Sequence, residues 1–486
     1  MSSDIRIAPD VCLFLLEDEG VFFAESRQEL HLFNTPAAFV WCCLEEGLAL
    51  ADIATAYGTT FGVGPAEADH HVSSVLLTWQ GLGYLSGAVL PGAPETHLTT
   101  ALGWLLTNPS LRADFARSPA DTAGTVRVRA ADLEAFVTLD PDALEAQASG
   151  VARAGRRHGP ARGSEHVLVS VSPSGRNVLE LAAESRLRGI EVTSIRRYYG
   201  LLATRFSLRL ASAAQEARVH PALAHLEIEK PAEVDVVLDV LEADGGHVLL
   251  EDLLPVGYCA VLDQLTPLVT FRVRQTAINR HPYFLAIHAG VVSNGEHCIL
   301  LPGASGRGKT TLTAALSRNG FRYFSDEFAL LEETTLQVRP VPLSLTIKRG
   351  AVGPLAPYYP GLEGLRMHLR EDGRTVRYLS PAERSVGPER SHAVRWIIFP
   401  RYDADAVTSL RPLSRPEALR RLLRECLVLP DLLDRAGVAS LVRWIRTVDC
   451  FELPMSSLAD AVGLVKRHCG LSVAVNRDRE GSRRCG

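Results

Sequence analysis

Residues Gly303-Ala304-Ser305-Gly306-Arg307-Gly308-Lys309-Thr310 satisfy the pattern G-x-x-x-x-G-K-[ST]. No other stretch restricts the fold so tightly, because this pattern works only where a strand enters the loop and a helix leaves it. The flanks fit. Cys298 to Leu301 reads as the entering strand and Lys309 to Ser317 as the helix. Asn319-Gly320 ends that helix with a residue tolerant of positive φ. The glycines let successive backbone N–H groups turn inward around phosphate oxygens. Lys309 adds a point charge for β and γ phosphates, and the Thr310 hydroxyl is placed to hold Mg²⁺. The helix N-terminus adds its dipole to anion binding. The expected nucleotide contacts are Gly303, Ala304, Ser305, Gly306, Arg307, Gly308, Lys309, Thr310 and Thr311. The competing reading is a chance glycine-rich turn; strand, loop, helix and cap in register argue against it.

Sixteen residues separate Lys309 from the acidic pair Asp326-Glu327. The strand after the loop helix, Arg322 to Ser325, therefore delivers the pair directly. One carboxylate there can accept a hydroxyl proton while its neighbour holds Mg²⁺. Taken alone, the pair is equally well read as two solvated acids in a strand-end turn. Upstream, Asn294-Gly295 between apolar runs is a hairpin signal. It lays the strand carrying His288 beside the strand that feeds the loop. A lone His in an apolar strand is commonly a core residue, so its place in this arrangement matters more than its identity.

His288-Ala-Gly-Val-Val, the loop, and Arg318-Asn-Gly-Phe-Arg-Tyr-Phe-Ser-Asp326-Glu327 together resemble the catalytic domain of HPr kinase/phosphorylase, a bacterial serine kinase. The resemblance implies ATP and Mg²⁺ as cofactors, with Asp326 as general base and His288 beside it to orient the carboxylate. Lys309 would lie on the triphosphate, and Thr310 and Glu327 on the metal. One departure stands out. The family carries a Glu just before Arg-Gly, whereas Thr346-Ile-Lys-Arg349-Gly350 has no carboxylate there. That puts reverse phosphorolysis and recognition of HPr in doubt. It fits the divergent HPr-kinase-like branch found with ribosomal peptide natural products.

The N-terminal region reads as strands Val11 to Leu16, Val21 to Glu25 and Glu29 to Phe33. Helices follow over Pro36 to Leu44, Leu50 to Tyr57 and Glu67 to Leu82. Leu32-Phe-Asn34-Thr-Pro, Leu50-Ala-Asp-Ile-Ala and Val75 to Leu85 resemble the PqqD family, winged-helix domains that bind leader peptides. The resemblance implies strand addition of a leader beside Leu30, His31, Leu32 and Phe33, with side chains resting on Val72, Val75, Leu76 and Trp79. A DNA-binding winged helix is the rival. Residues 29–85 contain no Arg or Lys, so such a helix gains nothing from counterion release.

The formal charge of −5, without long runs of one sign, points to neither nucleic acid nor membrane surface as partner. No apolar segment reaches membrane-spanning length, and Met1-Ser-Ser-Asp-Ile-Arg6 lacks the apolar core of a signal peptide. The nine cysteines include no C-x-x-C, and His70-His71 has no metal-spaced partner. These features lead us to expect reduced thiols, a cytoplasmic location and no zinc site.

The expected fold is α/β: an α+β N-terminal winged helix (1–90), a small helical module (98–150), a linker (151–166), an HPr-kinase-like P-loop α/β catalytic domain (167–475) and a disordered tail (476–486). Within the catalytic stretch, strands are expected over Val167 to Val171, Leu201 to Leu210, Val234 to Leu241, His247 to Leu250, Tyr258 to Leu262, Val394 to Phe399 and Cys450 to Leu453. Helices are expected over Pro416 to Leu427 and Ser456 to Arg467. The expected activity is ATP-dependent phosphorylation of a hydroxyl, a serine by resemblance, on a precursor peptide docked by its leader. Kinase action on an HPr-like carrier, ATP hydrolysis and non-catalytic peptide binding are the rivals, and homo-oligomerisation is left open.

Overall fold

The computed structural model describes residues 5–86, 98, 101–102, 105, 109–145, 195–243, 245–381, 390–425, 427–428 and 433–470. Helices and mixed sheets are both present and no described sheet closes into a barrel, so the fold is α/β. The chain forms two compact units, one from residues 1–160 with 431–447, the other from 161–430 with 448–486. The expected linker, the strand Val167 to Val171 and the tail lie outside the described residues, as do parts of the expected helical module (98–150).

The N-terminal unit starts with a three-stranded antiparallel sheet, Val11–Leu16, Glu19–Ala24 and Glu29–Phe33. Residues directly opposite share a face, and the register Val11↔Ala24 and Leu13↔Phe22 puts Val11, Phe22 and Ala24 together. That face meets the helices Thr35–Glu45, Leu50–Phe61 and Pro65–Gly81. The first helix begins where Asn34 Oδ1 accepts from the Ala37 N–H at 3.1 Å, with Pro36 in the first turn. Aromatic rings fill the centre. Phe33 stacks on Trp79 at 5.1 Å, and Trp41 meets Phe22 edge-on at 5.1 Å. The expected helical module joins the same core through Leu111, Phe115 and Phe136.

The opposite face of this sheet carries buried Cys12, Leu16, Val21 and Phe23. The helix Arg435–Arg446, distant in sequence, packs on its first two strands. It buries Val438, Leu441, Val442 and Ile445. Each such side chain contributes about 1.5–3 kcal/mol relative to exposure. Leu433 exchanges two hydrogen bonds with the Gln28 side chain, at 2.7 and 2.8 Å. The boundary drawn from sequence had this helix within the catalytic stretch, and no local signal marks its move.

The two sheet edges differ. The Glu25 N–H donates to the Asp10 carbonyl at 2.9 Å, so even-numbered positions of the first strand face its neighbour. The odd carbonyls of Val11 and Leu15 point outward. Arg435 donates to the first at 3.0 Å and Arg446 to the second. By the same alternation Leu30 and Leu32 present N–H and C=O groups outward at the far edge, where no described strand pairs.

The second unit contains a five-stranded sheet ordered Leu254–Cys259, Gly246–Glu251, Val236–Ala243, Thr204–Leu210, Ile195–Leu201. Its one parallel pair, Thr204–Leu210 with Val236–Ala243, is joined through the helix Ala213–Leu223. The strand expected over Leu201 to Leu210 is instead the end of one strand and the whole of the next, with Leu202 at φ +54° in the turn. The helix Leu265–Asn279 buries Leu265, Val269, Val273 and Ala277 against this sheet.

The remaining large sheet is ordered Arg322–Ser325, Ala289–Ser293, His297–Pro302, Ala393–Tyr402, Asp449–Met455, Arg411–Pro412. Its three inner strands from His297 to Met455 run parallel. Helices Lys309–Arg318 and Leu458–His468 cover it through Leu312, Leu316, Val462 and Val465. A smaller sheet, Leu345–Lys348, Thr375–Leu379 and His368–Leu369, completes the surroundings of the site.

Candidate functional site

The hairpin expected at Asn294-Gly295 is present. Ala289–Ser293 pairs antiparallel with His297–Pro302, and Gly295 has φ +107°. His297–Pro302 enters the glycine loop and the helix starts at Lys309. Two glycines here have no substitute. Gly308 has φ +92°, and a Cβ on it would lie 2.5 Å from Met455 Cε. A Cβ on Gly290 would lie 2.1 Å from Thr313 Oγ1, so the helix can sit directly on the hairpin only because that position is bare.

Gly303, Ala304, Ser305, Gly306, Arg307 and Gly308 form the turn, with Thr310 and Thr311 in the first helical turn. The Lys309 ammonium is buried and donates to the Gly303 carbonyl and, at 3.2 Å, to the Ala304 carbonyl. The Arg307 carbonyl accepts from the Tyr402 N–H at 3.2 Å, tying the loop to a neighbouring strand. One contact had no sequence signal: Lys348 reaches across from its own strand and donates to Ser305 Oγ at 2.7 Å.

Arg322–Ser325 forms as expected and Asp326-Glu327 follow at once. Ser325 Oγ accepts from the Phe328 N–H at 3.2 Å, closing the turn that carries the pair. The two carboxylates have different surroundings. Asp326 is 5 % exposed and its oxygens make no hydrogen bond of full geometry, although the Thr310 hydroxyl and the Thr346 backbone lie close enough to favour its charged form. Burial, then the Glu327 charge, hold its pKa well above the ordinary carboxylate range, while the nearby Thr310 hydroxyl and Lys309 charge pull the other way. Glu327 is about one-third exposed and forms an ion pair with Arg274 at 3.4 Å. Arg274 itself lies over the rings of Phe271 and Phe328, at 5.2 and 5.5 Å.

His288 lies between two strands, 5.8 Å from the Phe328 ring. Burial first, then the Lys309 charge, depress its pKa, with Glu327 opposing. The next residue, Ala289, donates its N–H to the Glu327 carbonyl at 3.2 Å. The charges that act on His288 are thus those of Lys309, Glu327 and Arg274.

A cavity of about 610 Å³ opens beside the pair. Its lining includes Leu268, Phe271 and Arg274 from one face of the helix Leu265–Asn279, the cross-strand pair Thr346 and Tyr378, and Glu327. Asp326 does not line it. Nothing in the local sequence announces this cavity, because its walls come from separate segments spread between Ala222 and Tyr378.

The donors fit Mg²⁺ with a nucleotide. A buried carboxylate without a hydrogen bond of full geometry faces the Thr310 hydroxyl and Lys309, and Mg²⁺ is commonly held by one or two carboxylates together with substrate phosphates. No cluster of three or more His, Cys, Asp or Glu suited to a metal occurs among the described residues.

The expected peptide groove is only partly at the surface. Val72, Leu76 and Trp79 are buried in the core of the N-terminal unit, because the apolar stripe of their helix is spent on the sheet and the other helices. His31 is exposed, and Leu30, Leu32, Phe33 and Val75 are partly so. No described helix is long and apolar enough to cross a membrane. No protein-family model matches the chain and no curated protein matches it.

Proposed function

We propose that the chain transfers the terminal phosphoryl group of ATP to a hydroxyl of a precursor peptide held by its leader. The observation that carries this reading is the buried Asp326 carboxylate, which faces Thr310 and Lys309 at the start of the loop helix without a hydrogen bond of full geometry. An unpaired buried carboxylate is costly unless a ligand completes it. The loop amides and Lys309 bind the phosphates. Thr310 and a carboxylate of the acidic pair would hold Mg²⁺, which would supply positive charge against the phosphates. The acidic pair supplies the metal ligand and the acceptor for the hydroxyl proton.

Leader docking is supported by the asymmetry of the N-terminal sheet. Arg435 and Arg446 occupy the outward carbonyls of Val11 and Leu15 at one edge, while no described strand pairs with Leu30 and Leu32 at the other, where a strand can add. The absence of Arg and Lys over residues 29–85 speaks against a nucleic-acid partner.

The test separates transfer from hydrolysis. With ATP and Mg²⁺ but no peptide, phosphate release is expected to be slow, and addition of a serine-bearing peptide to give a phosphopeptide by mass spectrometry. Rapid phosphate release regardless of peptide would instead make the protein an ATPase. Lys309→Ala is expected to lower transfer by several kcal/mol of transition-state stabilisation, about 10³-fold or more.

A further inference from the structure

The two neighbouring carboxylates face different things, and that difference assigns them separate tasks. Asp326 is enclosed beside Thr310 and Lys309 and does not line the cavity; Glu327 lines the cavity and is held by Arg274 at 3.4 Å. We propose that Glu327 is the carboxylate that meets the acceptor hydroxyl, that Asp326 serves the metal side, and that the cavity receives an extended segment with a large apolar side chain next to that hydroxyl. This rests on the phosphotransfer reading and reverses the roles implied by the family resemblance.

A proton acceptor has to lie within hydrogen-bond reach of the group it deprotonates. Of the two carboxylates, only Glu327 can be approached from the cavity. The cavity volume of about 610 Å³ lies within the usual range for ligand sites and exceeds what a small alcohol fills. Its walls are mixed: Leu268, Phe271 and Tyr378 supply apolar surface that a polyol cannot use, beside the charged Arg274, Glu327, Arg370, Glu371 and Asp372. A side chain flanking the acceptor residue can use it. A hydroxyl on the convex surface of a folded protein cannot carry a neighbour into such a recess, so an unfolded segment suits it better. Arg274, over the rings of Phe271 and Phe328, pairs with Glu327 at the wall of this space.

The step balances. The hydroxyl proton passes to Glu327 and the hydroxyl oxygen bonds to the γ phosphorus. The bond from that phosphorus to the β–γ bridging oxygen breaks, and ADP leaves with that electron pair.

The experiment uses the full chain with two probes. The first is binding of a fluorescent ATP analogue at varied Mg²⁺, which needs no acceptor. Asp326→Asn is expected to raise the Mg²⁺ concentration needed for half-maximal binding by about tenfold or more, whereas Glu327→Gln leaves it near wild type. The opposite pattern overturns the division of labour. The second is transfer from ATP to acetylated pentapeptides with a central serine flanked by Phe or by Asp, with glycerol and free serine alongside. Phe-flanked peptide is expected to be the best acceptor, and Glu327→Gln to slow its phosphorylation by about 10²–10⁴-fold. Leu268→Trp, which fills the cavity, is expected to lower it about a hundredfold with nucleotide affinity retained as the sign of an intact fold. Equal use of Asp-flanked peptide, preference for glycerol, or indifference to Leu268→Trp overturns the cavity assignment. Wild-type protein that releases phosphate and labels none of these acceptors would overturn the kinase reading itself, while the Mg²⁺ comparison would still decide what Asp326 does.

Discussion

Lys348 Nζ lies 2.7 Å from Ser305 Oγ, so a cation from the strand Leu345–Lys348 is fastened to the rim of the glycine loop. The loop is thereby flanked by two lysines, with Lys309 on its inner side. A second ammonium at this position is suited to the outermost phosphate, where the most charge resides. Lys348→Ala is expected to weaken an ATP analogue about tenfold while affecting ADP much less, since one charge-assisted contact contributes about 1.5–3 kcal/mol. Lys348→Arg is expected to restore part of the difference. Equal losses for both nucleotides, measured by fluorescence titration, would show that the lysine only shapes the loop.

Gly308 offers a sharper test of loop geometry. Its φ of +92° strains any L-residue, and an added Cβ would also strike Met455 Cε. Gly308→Ala is expected to abolish nucleotide binding. Pairing it with Met455→Ala removes the clash and leaves the backbone strain, so recovery is expected to be partial at most. Full recovery in the double variant would show that sterics alone requires the glycine.

What could be read from the sequence were the parts whose geometry is local. The strands Val11–Leu16, Glu29–Phe33 and Arg322–Ser325 form with the expected ends, and Asn294-Gly295 forms the expected hairpin. Each is set by side-chain alternation or turn chemistry within a few residues. The resemblance picked out Val72, Leu76 and Trp79 for a groove, but a stripe facing the core and a stripe lining a groove have the same spacing. The cavity and Lys348 were hidden for another reason. Leu268, Glu327, Thr346 and Tyr378 come together only through the packing of four separate elements, and a lysine in a short strand reads as surface.

His368 gives a pH dependence to the second unit. It is buried against Tyr378 at 5.2 Å, and its Nδ1 has no hydrogen-bond partner. Burial first, then the Arg218 charge, push its pKa down to about 4 from 6.5. The folded state therefore holds it neutral where the unfolded chain takes up a proton. Its contribution is complete above about pH 6.5 and is lost as pH falls toward 4, about 2 kcal/mol of it between pH 7 and pH 5. Replacing it by Phe is expected to shrink the loss of thermal stability of the second unit between those pH values. An unchanged pH slope in calorimetry would place the acid sensitivity elsewhere, with His225 and His288, also depressed by burial, as the next groups to change.

The helix Arg435–Arg446 makes the N-terminal unit dependent on a distant stretch of chain. Cys12, Leu16, Val21 and Phe23 are buried on the sheet face away from the three-helix core, on the sheet that this helix covers. Without it that face is an exposed apolar patch of the kind that drives association, and the outward carbonyls of Val11 and Leu15 lose Arg435 and Arg446. A fragment of residues 1–145 alone is therefore expected to aggregate or to unfold at markedly lower temperature. Joining residues 433–447 to it through a flexible Gly/Ser linker is expected to give a monomer with a cooperative transition. Changing Leu441 and Ile445 in that appended segment to Asp is expected to cancel the gain, because charge cannot be buried on this face without a partner. Light scattering and circular dichroism on the three proteins decide the matter. If residues 1–145 fold as a stable monomer and the appended helix adds nothing, the helix is not part of this unit's core. Leader binding could then be measured on the fragment directly; otherwise it has to be measured with the helix present, which occupies the outward carbonyls of Val11 and Leu15 at the other edge.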